Sequence, residues 1–166
     1  ANEVSKNYKC LDALINNASI LKKMSSINDY DLRSWKKVLN VNLTSAFLLS
    51  KYLMPLMMDS KLPRIIFTSS GVANKGKAYW GAYSVTKAGI KNLSEILNDE
   101  LDSLTNFKVF SFNPKETRTE MRALAYPAEN PSSVKTPDEL INYYLWMLSE
   151  RSTSSSKTHI NFGDEI

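Results

Sequence analysis

Three short apolar runs, each closing on polar residues and parted from the next by an amphipathic stretch, constrain this chain more than any other feature. They occupy residues 11–16, 64–69 and 107–112, with cores such as Ile65-Ile66-Phe67 and Val109-Phe110. β-Branched and aromatic residues in runs this short, bounded by Pro, Gly or Asn, read as buried strands. The stretches between them read as helices over 27–60 and 80–103. In the first, Trp35, Val38, Val41, Leu43, Phe47, Leu48 and Leu53 recur at near-helical spacing. In the second, Ile90, Leu93, Ile96, Leu97 and Leu101 mark the core side. Asp31 is the expected N-cap of the first helix, and Pro55 is expected to kink or restart it. A polar stretch, 115–136, follows the third strand as a candidate substrate loop. Pro137 opens a last helix over 137–149, and 157–161 is a candidate fourth strand, whereas residues 1–9 carry no cap or strand signal. Continuous apolar strands alternating with helices specify an α/β fold, a Rossmann-like, doubly wound and mostly parallel sheet, with 1–166 as a single domain. Ligands of such sheets bind at the carboxyl ends of the strands. The polar residues after each run, 16–19, 69–71 and 113–119, would meet there.

Several function classes are disfavoured. The net charge of +4 is spread in small pairs such as Lys22-Lys23 and Lys36-Lys37, which argues against a nucleic-acid surface. No apolar run approaches a membrane span. A single cysteine, Cys10, excludes an internal disulfide framework and fits a reducing cytoplasm. The one histidine, His159, has no companions for a metal site. There is no Gly-x-Ser-x-Gly elbow for a serine hydrolase.

Chemistry is suggested by Tyr83 and Lys87, four apart and so on one helix face. An ammonium beside a phenol favours the phenolate and is expected to lower its pKa. Ser70, at the end of the second strand, could hold a carbonyl oxygen that the phenol protonates, which suits proton transfer at an alcohol or ketone. Alone the pair is weak, since roughly one Tyr-x-x-x-Lys arises by chance in such a composition. Asn42, a polar amide between Val41 and Leu43, needs partners that are either structural or catalytic.

Taken together, Asn16-Asn17-Ala18-Ser19, Val41-Asn42-Leu43, Thr68-Ser69-Ser70-Gly71, Tyr83-Ser84-Val85-Thr86-Lys87 and Asn113-Pro114 resemble, in order, the signatures of the short-chain dehydrogenase/reductase family. The resemblance runs along nearly the whole chain. The wording around Trp80-Gly81-Ala82-Tyr83 and Thr117-Arg118-Thr119 is most similar to a bacterial branch of poorly characterised oxidoreductases. It implies hydride transfer between NAD or NADP and a small alcohol or ketone, without a metal. It implies Tyr83 as general acid/base, with Lys87 lowering its pKa and holding the nicotinamide ribose. Ser70 would position the substrate oxygen and Asn42 a relay water. Asn16, Ala18, Pro114, Thr117 and Thr119, with Tyr83 and Lys87, would line the cofactor. It also implies a homodimer or homotetramer through the two long helices.

The chain departs from the pattern in three places. None of its five glycines forms a Gly-x-Gly-x-x-Gly turn, the element that cradles a dinucleotide pyrophosphate. The resemblance starts just before the family's fourth strand, so the first βαβ half, with the residue that selects NAD or NADP, is expected to be lacking. Ser19 and Lys115 stand where the family has Gly, a residue that permits close backbone approach. Two readings follow: the C-terminal portion of an NAD(P)-dependent oxidoreductase, or a non-catalytic remnant acting at most as an oligomerising or binding module. Met121, Leu124 and Tyr126 are expected to shape the substrate pocket.

Overall fold

The computed structural model describes residues 1–104 and 106–166. The apolar runs become β1 (Ala13–Asn16), β2 (Arg64–Thr68) and β3 (Lys108–Asn113), and the candidate fourth strand becomes β4 (His159–Asn161). All pairings are parallel and the strands lie in chain order, β1-β2-β3-β4. Because successive side chains point to opposite faces, β2 feeds two cores. Ile65 and Phe67 join Val109 against Ala46, Met57, Ile90 and Leu97 on one face. Ile66 joins Phe110, Phe112 and Ile160 against Leu140 and Met147 on the other. Each such buried side chain stabilises the fold by about 1.5–3 kcal/mol. Helices cover both faces, which is the doubly wound architecture.

The first core is supplied by α3 (Ser45–Met57) and α4 (Gly81–Glu100), the second by α6 (Ile141–Met147). The stretch 27–60 is not one helix. It comprises α2 (Leu32–Leu39), a π-helical turn at Asn40–Thr44, and α3. Asp31 caps α2 by accepting from the Ser34 amide at 2.7 Å. Pro55 does not restart the helix, since α3 runs through it unbroken. It is exposed and lies two residues from the helix end. Ile96 is 45% exposed and not part of the core side of α4. Residues expected to be featureless begin with a short α1 (Asn2–Asn7), and the loop 115–136 contains α5 (Glu120–Ala125), capped by Thr119. A capping box, Thr136 with Glu139, starts the turn leading into α6.

Arg64, at the start of β2, is fully buried. Its guanidinium donates to the carbonyls of Met147, Pro63, Asn106 and Ser149 and to Thr153 Oγ1, at 2.6–3.3 Å. It thereby ties the sheet to the end of α6. Among the described residues no helix is long and apolar enough to cross a membrane.

Candidate active site

The polar strand ends open into one cleft of about 970 Å³. Ser70 follows β2 in extended backbone and lines it. The first turn of α4 puts Tyr83 in the wall, 8% exposed, with Lys87 behind it, 3% exposed. Lys87 Nζ donates to the Thr68 carbonyl at 2.6 Å and lies 5.5 Å from the centre of the Tyr83 ring. The start of α4 depends on an unusual turn. Tyr79 has φ +72°, and Gly81 has φ +28°, where a Cβ would stand 2.8 Å from the ring of Tyr30. Gly81 is therefore required for both conformation and space, and the turn places Trp80 against Tyr83, ring centres 5.5 Å apart.

The lowered phenol pKa expected from Lys87 is not found. Burial pushes Tyr83 above its ordinary value, and the nearby Ser70 hydroxyl only partly draws it back. Burial also holds the Lys87 ammonium down to about 8. Without ligands, Tyr83 is thus a proton-bearing phenol at neutral pH, poised to donate.

Asn42 is buried in the π-helical turn and does not line the cleft. Its Oδ1 accepts from the Ile20 amide at 2.8 Å, and its Nδ2 donates to the Ile20 carbonyl and to Thr86 Oγ1 at 3.0 and 3.3 Å. It pins the segment after β1 to α4. Asn16 also lies outside the cleft lining. It shares the face of Leu14, toward α3, and its Nδ2 reaches Ser50 Oγ at 3.4 Å. Asn17, one residue on, lines the cleft instead, accepting from Thr68 Oγ1 at 2.9 Å. Ala18, Pro114, Thr117 and Thr119 line the cleft as expected from the sequence. Thr117 Oγ1 donates within its own turn to the Pro114 and Lys115 carbonyls. Met121 and Tyr126 also line it, whereas Leu124 does not and is 71% exposed. His159 pairs with Glu95 at 2.7 Å, and no group of three or more metal-ligating side chains occurs among the described residues.

The two departures from glycine behave differently. Ser19 has no positive φ, so its substitution is conformationally neutral. Lys115 has φ +52° and keeps a glycine-like backbone despite its side chain. Lys115→Gly should therefore raise stability by about 1 kcal/mol, read as a higher melting temperature at unchanged far-UV circular dichroism. Sequence reasoning placed Asn17 among the strand-end residues without giving it a role, and missed Lys77, Trp80, Arg122 and Tyr144 as cleft residues. Only the distance between α4 and α5 in sequence hid the cluster they contribute to, since each segment looks ordinary alone.

A sequence profile described as short chain dehydrogenase matches residues 1–130. The chain belongs to the short chain dehydrogenase family. Within it, the chain is 35% identical over 162 residues to YciK of Escherichia coli K12, described as an uncharacterized oxidoreductase, covering 98% of this chain and 63% of that protein. It is 30% identical over 163 residues to the 3-oxoacyl-[acyl-carrier-protein] reductase FabG of Aquifex aeolicus, covering 92% and 65% respectively. Among solved structures, a short chain dehydrogenase of Shigella flexneri complexed with NADP superposes with a TM-score of 0.92 at 31% identity, over 98% of this chain and 67% of that one. The chain thus spans less than two thirds of the length of these two curated relatives.

Proposed function

We propose that the cleft serves an oxidoreductase that transfers hydride between NAD or NADP and a small alcohol or carbonyl substrate. The observation that carries this reading is the Tyr83–Ser70 pair in the cleft wall with the buried Lys87 behind it. Tyr83 gives its proton to the carbonyl oxygen in reduction and takes it back in oxidation, while Ser70 holds that oxygen. Lys87 would hold the ribose of a bound cofactor, and its ammonium behind the Tyr83 ring favours the phenolate and lowers the cost of proton release.

The residues fit the nicotinamide end of a cofactor. The Ser19 hydroxyl is buried without a partner among the described residues while Ser19 lines the cleft, and Asn17, Ala18, Pro114, Thr117 and Thr119 surround the same space. Ala18, Pro114, Thr117 and Thr119 would hold it, with Asn17 in place of Asn16, and the nicotinamide would supply or accept the hydride. The NADP complex of the Shigella relative favours NADP. The 166 residues contain no Gly-x-Gly-x-x-Gly turn for the pyrophosphate, so turnover is expected to need a polypeptide that carries one. We place the protein in the cytoplasm on its single cysteine. We also propose a homo-oligomer, because Phe47, Leu48, Leu49 and Tyr52 of α3 are all exposed.

The test is isotope transfer by the protein expressed from its own gene. With NADPH deuterated at C4 and a panel of ketones, the product alcohol should carry deuterium at the carbinol carbon. No labelled alcohol from any ketone would sink the reading. The missing glycine turn then favours the second one, a non-catalytic binding module.

A further inference from the structure

The wall beyond Tyr83 is a short aromatic ladder. Trp80 packs 5.5 Å from Tyr83, and Tyr126 packs 6.1 Å from Trp80, measured between ring centres. Two cations rest on the far rung. The Arg122 guanidinium lies 3.9 Å from the centre of the Tyr126 ring, and Lys77 Nζ lies 5.3 Å from it and 5.8 Å from that of Trp80. Their charges are not equally matched. Glu129 holds Arg122 through two hydrogen bonds, at 2.5 and 2.6 Å. Lys77 has no carboxylate within ion-pair distance among the described residues. Its one hydrogen bond goes to the Tyr126 hydroxyl, at 2.8 Å. An ammonium has three donors, so two remain for a ligand, and Lys77, Trp80, Met121, Arg122 and Tyr126 all line the cleft that holds Tyr83.

Glu129 pairs with Arg122, and Glu116, which also lines the cleft, acts on the same guanidinium, so among the described residues Lys77 is the cation on this ring left without a carboxylate contact, one indole beyond the reacting phenol. A flat apolar body fits against Trp80, Tyr126 and Met121, and a negative group beyond it would meet Lys77. Cation–π contacts alone would satisfy a lysine that merely packs the loop, but they leave two of its donors without a hydrogen-bond partner among the described residues. We propose that the substrate is a flat carbonyl compound, aromatic or cyclic, carrying a carboxylate or similar anion at the end away from the carbonyl, and that Lys77 is the residue that selects it. This deepens the oxidoreductase reading and rests on it for the placement of the carbonyl at Tyr83.

The test is calorimetric titration of the chain with 4-acetylbenzoate and with its neutral amide, 4-acetylbenzamide. The acid should bind about fivefold tighter or more, as a partly exposed ion pair allows, and the preference should shrink as salt is added. Lys77→Gln should equalise the two ligands and Lys77→Arg should keep the preference, as should the neighbouring Lys75→Gln. Equal binding in the wild type, no binding of either ligand, or a preference that survives Lys77→Gln would overturn the proposal. Deuteride transfer separates the two failures. If the amide is reduced as readily as the acid, the reaction stands and the substrate class falls. If the acid is preferred but no ketone is ever reduced, the anion site stands and the reaction falls.

Discussion

Arg64→Met should lower the melting temperature by about 10 °C, corresponding to a loss on the order of 3 kcal/mol. Arg64 is fully buried and donates to four carbonyls and one hydroxyl. Burial lowers its pKa without giving it a carboxylate partner. Its contribution therefore lies in the planar fork, which reaches several acceptors at once, and not in an ion pair. Met fills the volume but leaves the Asn106 carbonyl and its neighbours short of a donor. Arg64→Lys should fare no better, because a single ammonium cannot span those acceptors and still bears the cost of a buried charge. Thermal melts of the three proteins check this. Full rescue by Lys would show that charge, not the fork, holds the end of α6 to the sheet.

Lys87→Met should do the opposite, stabilising the ligand-free protein by about 2 kcal/mol at pH 7. The ammonium's value falls from its ordinary 10.5 to about 8 because it is buried, which corresponds to about 3 kcal/mol against the charged form. Loss of the bond to the Thr68 carbonyl returns about 1 kcal/mol of that. The pH dependence has a definite sign. Between pH 8 and 10.5 the unfolded chain binds the proton that the folded chain has shed, so stability rises with pH through that window. Below pH 8 both states are protonated and the penalty is at its full size. The Met variant should be more stable at pH 7, and its advantage should shrink steadily toward pH 10.5. Denaturant midpoints at several pH values check this, and a constant difference between the two proteins would contradict it. A lysine that costs folding energy where nothing is bound fits a residue retained for ligands.

What was legible in the sequence was local. The cap at Asp31, the buried run of β2 and the shared face of Tyr83 and Lys87 depend on residues within one or two turns of each other. The spacing of Ser70 from Tyr83 is carried by a single strand-turn-helix unit. Legibility failed where a one-residue difference or a distant segment decides. Asn16 and Asn17 are equivalent as letters, but strand alternation sends the first toward α3 and leaves the second in the cleft. The direction of the Tyr83 shift was misjudged because the sequence shows a neighbouring charge and not the depth of burial, and here burial is the larger influence. Lys77 and Arg122 meet on one ring only because α5 folds back over the start of α4. Hydrophobic periodicity likewise gave no sign that the stretch 27–60 changes its winding.

That change of winding, at Asn40–Thr44, makes the segment a register device. The π-helical turn spreads one extra residue over about one turn, so losing one residue there would restore an unbroken α-helix with α2 and α3 still nearly in phase. Asn42 would turn away from the Ile20 main chain that it grips from both sides. Exchanges of side chain along α2 and α3 can be absorbed where they occur. A single residue lost from the α winding on either side cannot, since it shifts the phase by about 100°; lost from the π-helical turn, it leaves the phase and forfeits the hold of Asn42 on the segment after β1.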